Sequence, residues 1–102
     1  MTAAAAIVLY NVLPHWFPSS LPRNSFTLYY ADWCPHCSAI MGDWDAFTYG
    51  NVNIRKVEAA SNNEYKPSGF PTFVYTSPSG WSLVYKGART PAAWAAFLRS
   101  VS

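Results

Sequence analysis

The chain has 102 residues, of which 51% are hydrophobic and 18% aromatic. This length and composition indicate one globular domain and exclude a disordered chain. Seven basic and five acidic residues give a formal net charge of +2. So small a charge, spread along the chain without a basic run, argues against nucleic acid or an anionic membrane as a partner.

Residues 1–24 contain a long apolar run, Ala3 to Leu13, followed by a proline-rich connector. The run is shorter than the roughly 20 residues that span a bilayer. It also lacks the positively charged region that opens a secretory signal. We therefore expect a strand or a short helix of the domain there, in a cytoplasmic protein that is not secreted.

Residues 25–102 carry alternating strand and helix patterns. Phe26–Tyr30 is rich in aromatic residues, which predicts a buried strand. From Cys34 to about Tyr49 the apolar residues recur at helical spacing, and Pro35 suits the first turn because its missing N–H needs no partner there. Residues 53–59 predict a second strand.

A hairpin and a last helix follow. Thr72–Tyr75 and Trp81–Tyr85 are separated by the turn sequence SPSG, which predicts two antiparallel strands. Thr90 before Pro91 predicts the N-cap and first turn of a final helix. This order of elements predicts a single α/β domain, in which a mixed central sheet is flanked by helices.

Both cysteines of the chain lie in the stretch WCPHC, residues 33–37, at the predicted start of the first helix. Thiol–disulfide exchange needs a thiolate and a second thiol that releases the mixed disulfide. A helix N-terminus favours a thiolate on Cys34, and Cys37 lies one turn further along the same face. A charged His36 would stabilise the thiolate further, which makes the disulfide a stronger oxidant.

The residues alone leave three other roles for this pair. A zinc site needs more ligands than the cysteines, and only His15 and His36 offer nitrogen. A disulfide over two intervening residues closes a loop too small to constrain the unfolded chain much. The pair could also be inert and packed. A strand, a C-x-x-C pair and a helix in succession favour redox chemistry over all three.

Three segments in order resemble the thioredoxin superfamily, which includes thioredoxins and the catalytic domains of protein disulfide isomerases. They are FTLYYADWCPHC (26–37), GFPT (69–72) and YKGART (85–90). They are similar to the active-site strand and motif, the cis-proline loop, and the last strand with its turn into the final helix. The string LYYADWCPHC and the short length also resemble small thioredoxin-like proteins of large DNA viruses, which adds a virion-associated location to the expectations.

The resemblance implies roles for the residues around the motif. Cys34 is expected to be the exposed nucleophile and Cys37 the resolving thiol. Trp33 is expected to flank them. Pro71 is expected to follow a cis peptide bond and to lie against the disulfide, with the backbone of Phe70 pairing with an extended substrate segment.

Further positions follow from the same resemblance. Arg89 matches an arginine that tunes the resolving cysteine in disulfide isomerase domains. Pro35 and His36 form the dipeptide of strongly oxidising bacterial periplasmic enzymes, so they are expected to make the pair more oxidising than a thioredoxin. Family members usually carry a buried acid six residues before the first cysteine, as proton acceptor for the resolving thiol; here Leu28 stands there. Lys56 matches the lysine that often accompanies that acid and loses its usual partner.

We therefore expect a monomeric thiol–disulfide oxidoreductase that exchanges disulfides with protein substrates. A separate redox partner is expected to recycle it, and no metal or organic cofactor is implied. One alternative is a glutaredoxin-like enzyme that uses glutathione, against which the apolar Phe70 beside Pro71 argues. The other is a non-catalytic thioredoxin fold that binds a protein partner, against which the intact C-x-x-C pair argues.

Overall fold

The computed structural model describes residues 17–18 and 20–101. In chain order its elements are β1 (Ser25–Tyr30), α1 (Pro35–Ala46), β2 (Asn53–Glu58), a short 3₁₀ helix (Ala59–Ser61), β3 (Thr72–Thr76), β4 (Ser82–Tyr85) and α2 (Pro91–Val101). The strand or helix predicted for residues 3–13 lies outside the described residues. In the described part, no helix has both the length and the apolar character needed to cross a membrane.

The four strands form one mixed sheet in the order β2-β1-β3-β4. β1 pairs in parallel with β2 and antiparallel with β3, and β3 pairs antiparallel with β4. The predicted α/β domain with a mixed sheet is therefore confirmed. α1 is the crossover between the two parallel strands, as such a connection requires. The carboxyl end of β1, which leads into the cysteines, consequently lies between β2 and β3 at one end of the sheet.

Both described helices pack on the same face of the sheet. Alternation along the strands turns Phe26 and Leu28 of β1 towards this face. The rings of Trp44 in α1 and Trp94 in α2 meet edge to face with centroids 4.8 Å apart. The core of this face comprises Phe26, Leu28, Ile40, Trp44, Phe73, Tyr75, Tyr85, Trp94 and Leu98. It holds α1, and with it both cysteines, in a fixed position on the sheet.

The opposite face is covered by irregular chain in the part that the structure describes. On this face Leu21, Tyr29, Val74 and Val84 are buried. Four partly buried residues pack against them: Phe17, Val57, Tyr65 and Phe70. Within residues 17–18 and 20–101, α1 and α2 both lie on the other face. Pro67, Gly69 and Pro71 prevent a regular helix in the segment that crosses this face.

An ion pair anchors this irregular segment. Arg55 of β2 donates two hydrogen bonds to the carboxylate of Glu64, at 2.8 and 3.0 Å, and one to Thr27 of β1 at 3.0 Å. The hydroxyl of Tyr29 donates to the same carboxylate at 2.7 Å. The chain that leads to Phe70 is therefore tied to the two strands nearest the cysteines.

Most predicted elements are present with shifted ends. α1 ends at Ala46 rather than near Tyr49, because Phe47 adopts extended backbone. The final helix begins as predicted: Pro91 is its first residue, and the Thr90 hydroxyl accepts a hydrogen bond from the N–H of Ala93 at 3.2 Å.

Candidate active site

The two cysteines lie where β1 leads into α1. Cys34 is the N-cap of α1, with extended backbone at φ −92° and ψ 115°, and Pro35 begins the helix. The Cys34 carbonyl accepts hydrogen bonds from the N–H groups of Cys37 and Ser38, each at 3.1 Å. The N–H of Cys34 donates to the carbonyl of Ala31 at 3.0 Å. Both sides of the Cys34 backbone are thereby fixed.

Neither thiol is openly exposed, although both are free. Cys34 retains 5% of its accessible surface and Cys37 only 1%. The expectation that Cys34 is exposed is therefore wrong, although Cys34 keeps more accessible surface than Cys37. The carbonyl oxygen of Phe70 lies 3.8 Å from the Sγ of Cys34 and accepts its hydrogen bond, so the segment before Pro71 covers the sulfur.

The surroundings shift the two thiol pKa values in opposite directions. A hydrogen bond from the Cys37 thiol is the main cause that lowers the pKa of Cys34. The backbone N–H groups of Cys37 and His36 and the charge of Arg89 lower it too, whereas burial opposes them. Burial raises the pKa of Cys37 to about 11. Thiolate is therefore concentrated on Cys34, which suits attack by this sulfur while Cys37 keeps its proton.

An apolar rim lies beside the Cys34 sulfur. Trp33 is 74% exposed, and its ring meets that of Phe70 at a right angle with centroids 5.9 Å apart. The peptide bond between Phe70 and Pro71 is cis, as the resemblance implies. The hydroxyl of Thr72 donates to the carbonyl of Gly69 at 2.7 Å and closes this turn. Trp33 and Phe70 together offer apolar surface to a chain that approaches Cys34.

The two polar residues predicted to tune the site act differently from each other. The side chain of His36 is exposed, and it is the backbone N–H of this residue that lowers the pKa of Cys34. Arg89 is also exposed, just before α2, and its positive charge lowers the pKa of both cysteines. The charge of Arg89 thus acts on both sulfurs, and the part played by the His36 ring stays a prediction.

The position of the usual buried acid is filled by a fully buried leucine, Leu28. Its neighbour in the parallel register is Lys56. The amino group of Lys56 forms an ion pair with Asp45 of α1 at 2.7 Å. Lys56 therefore lacks its usual partner on β1, as expected, and pairs instead with an acid from α1.

Another carboxylate near the motif was not predicted. Glu58, at the end of β2, accepts hydrogen bonds from the N–H groups of Asp32 at 3.2 Å and Ala60 at 2.7 Å. It ties the residues just before the cysteines to the neighbouring strand. The sequence signal for this contact was an acid near the end of the predicted second strand. Within the described residues, which do not include His15, no three His, Cys, Asp or Glu side chains form a group that could hold a metal ion.

Comparison with known proteins agrees with this geometry. The sequence model of the family described as Thioredoxin matches residues 21–100. The chain belongs to the thioredoxin family. Over 76 residues the thioredoxin domain is 32% identical to "Protein disulfide-isomerase" of Triticum aestivum. Over 77 residues it is 36% identical to "Protein disulfide isomerase-like 1-1" of Arabidopsis thaliana.

These two relatives are much longer than the thioredoxin domain described above. Each alignment covers 67% of this chain and 15% of the relative. Among solved structures, the J-Trx1 fragment of ERdj5 superposes with a TM-score of 0.65 at 18% identity, over 76% of this chain and 42% of that chain. This structural similarity shows that the two share the thioredoxin fold.

Proposed function

We propose that this thioredoxin domain is a thiol–disulfide oxidoreductase that acts on protein substrates. The position of the C-x-x-C pair carries the proposal: Cys34 is the N-cap of α1, and Cys37, one turn further along, is more deeply buried. Exchange needs one reactive thiolate and one thiol held in reserve, and the pKa of Cys34 is lowered while that of Cys37 is raised. The family, and relatives named as protein disulfide isomerases, support it.

The reaction has two exchange steps. The Cys34 thiolate attacks one sulfur of a client disulfide, whose S–S bond breaks; the other client sulfur leaves as a thiolate and takes up a proton. Cys37 then loses its proton and attacks the Sγ of Cys34, which releases the second client sulfur. The client gains two electrons and the cysteine pair becomes a disulfide. The same steps in reverse oxidise a client dithiol, and a separate redox partner resets the pair.

The second step lacks the proton acceptor that the family usually supplies. Leu28 is fully buried and has no group that could accept the proton of Cys37. Burial meanwhile raises the pKa of Cys37 to about 11. We therefore expect resolution of the mixed disulfide to be slower than attack at neutral pH.

The pair is also proposed to be more oxidising than a thioredoxin. Groups that stabilise the Cys34 thiolate stabilise the reduced form, so the disulfide is reduced more readily. The backbone N–H groups at the start of α1 and the charge of Arg89 act in this direction. A charged His36 ring at the same helix end would add to them.

Turnover of the insulin disulfides tests the proposed function. The wild-type protein should turn over with dithiothreitol as reductant, and Cys34→Ser should abolish turnover. A second assay replaces dithiothreitol by glutathione and its reductase. Turnover with glutathione alone would identify a glutaredoxin-like enzyme. No turnover with either reductant, from a folded protein, would contradict the proposal and favour the binding module. The monomeric state and the cytoplasmic or virion-associated location stay predictions.

A further inference from the structure

Phe70 and Pro71 line two different depressions in the surface. The depression beside Phe70, of about 700 Å³, is bordered by the irregular segment that covers the second sheet face. The depression beside Pro71 has a volume of about 290 Å³ and is bordered by Thr72, Lys86 and Arg89. The last two residues lie in the turn that joins β4 to α2. We call this second depression the basic groove.

The basic groove carries two positive charges without a partner in the described part of the chain. Lys86 and Arg89 are exposed, and neither takes part in the ion pairs found between described residues. None of the described residues that line the groove is acidic. The charge of Arg89 acts on both sulfurs, so the groove lies within electrostatic reach of the reacting atoms.

The turn that presents these charges is held in shape. The hydroxyl of Tyr85 donates a hydrogen bond to the carbonyl of Ala88. Gly87 lies so close to the Tyr85 ring that a Cβ at this position would overlap it. Thr90 caps α2 directly after the turn. Lys86 and Arg89 are therefore presented from a fixed backbone, and a ligand need not order the turn when it binds.

We propose that the basic groove binds acidic residues of the client polypeptide, next to the disulfide that Cys34 attacks. This rests on the proposed function and names its substrate class, a protein disulfide flanked on one side by aspartate or glutamate. The client segment crosses Phe70 and Pro71, with apolar residues against Trp33 and acidic residues in the groove. Carboxylates match the fork geometry of an arginine, and opposite charges speed the encounter.

Peptides that carry one cysteine as a mixed disulfide with pyridine-2-thiol test this proposal. Cys34 attacks the peptide sulfur, the S–S bond to the pyridyl sulfur breaks, and pyridine-2-thione is released and followed by its absorbance. Four matched peptides place two aspartates or two lysines before or after the cysteine. The peptides form two pairs, one with the charges before the cysteine and one with them after it. In low salt, the aspartate peptide of one pair should react about tenfold faster than the lysine peptide of the same pair. In 1 M salt, where charges are screened beyond about 3 Å, the ratio should approach one.

Substitution of Lys86 links the preference to the groove. Lys86→Gln should lower the aspartate-to-lysine rate ratio about threefold, and Lys86→Glu should reverse the preference. The ratio compares two peptides on the same variant, so a change in the reactivity of the Cys34 thiolate cancels from it. The reaction with neutral dipyridyl disulfide, which carries no charged flank, measures that change separately. Arg99→Gln is the matched control, because it also removes one positive charge, and Arg99 lies roughly 12 Å along the axis of α2 from its first residue, Pro91. It should leave the ratio unchanged.

Three outcomes would each have a definite meaning. Equal rates for aspartate and lysine peptides in low salt, with normal reaction towards dipyridyl disulfide, would overturn the acidic-client proposal and leave the proposed function intact. Failure to react with dipyridyl disulfide would refute the proposed function itself. A pyridyl mixed disulfide of glutathione that reacts faster than the aspartate peptides, and equally depends on Lys86, would assign the groove to glutathione and overturn the proposal.

Discussion

The guanidinium of Arg55 donates to both carboxylate oxygens of Glu64, at 2.8 and 3.0 Å, on the sheet face opposite the helices. The segment fixed by this ion pair leads to Phe70, whose carbonyl oxygen lies 3.8 Å from the Sγ of Cys34. A contact remote from the cysteines along the chain thus holds the segment that covers the reactive sulfur.

Glu64→Gln should lower the free energy of unfolding by about 1–2 kcal/mol at pH 7, because a charged acceptor of the Arg55 and Tyr29 hydrogen bonds is lost. Arg55 is the main cause that lowers the pKa of Glu64. The stabilisation is therefore present above the ordinary glutamate pKa of about 4.3 and lost as the pH falls through the lower folded value. The difference between variant and wild type should shrink in acid. Urea unfolding at several pH values measures it.

The matched control for this ion pair is Asp45→Asn. It breaks the more exposed pair between Lys56 and Asp45, whose side chains are 38% and 50% exposed. Its cost should stay below about 1 kcal/mol. Equal losses from both substitutions would show that Glu64 has no special part in anchoring the segment.

Trp33→Ala should reduce kcat/KM for insulin about fivefold and leave the reaction with dipyridyl disulfide unchanged. The ring is 74% exposed, so its loss removes apolar surface offered to a polypeptide and little internal packing. Trp81→Ala, at the exposed hairpin turn, removes a second surface tryptophan and should leave both reactions unchanged. A parallel loss with both substrates would mean that Trp33 acts on the cysteines and not on the client.

Resolution of the mixed disulfide should accelerate about tenfold per pH unit between pH 7 and pH 9. Only the Cys37 thiolate resolves, and burial raises the pKa of Cys37 above its ordinary range, so the thiolate fraction grows about tenfold per unit while the pH stays below that pKa. Single-turnover quenching of a preformed mixed disulfide between Cys34 and a peptide measures the rate. A plateau below pH 8 would reveal that another group accepts the Cys37 proton in place of the acid missing at position 28.

His36→Ala should make the pair more reducing by roughly 5–20 mV. A charge at an exposed helix N-terminus contributes about 0.3–1 kcal/mol, and about 30 mV corresponds to 1.4 kcal/mol for two electrons. Redox equilibration against glutathione measures the potential. An unchanged potential would mean that the backbone N–H groups and Arg89 stabilise the thiolate without the His36 ring.

Local sequence patterns predicted the strands and helices of this fold, but they did not predict contacts between residues far apart in the sequence. The strand at Phe26–Tyr30 and the helix start at Thr90 depend on neighbouring residues, so the sequence indicates them directly. The burial of Cys34 depends on Phe70, 36 positions away. The partners of Arg55 and Lys56 likewise depend on which segments the fold brings beside β2, and no local pattern contains that information.

The proposed thiol–disulfide exchange depends above all on which cysteine carries the reactive thiolate. The reduced protein is treated with less than one equivalent of iodoacetamide at pH 7, and peptide mass spectrometry identifies the alkylated cysteine. Protein unfolded in urea is the control, in which both thiols should react alike. We expect Cys34 to react at least about tenfold faster than Cys37 in the folded protein, since the pKa of Cys34 is lowered while that of Cys37 is raised. Equal labelling of the folded protein, or faster labelling of Cys37, would contradict this expectation.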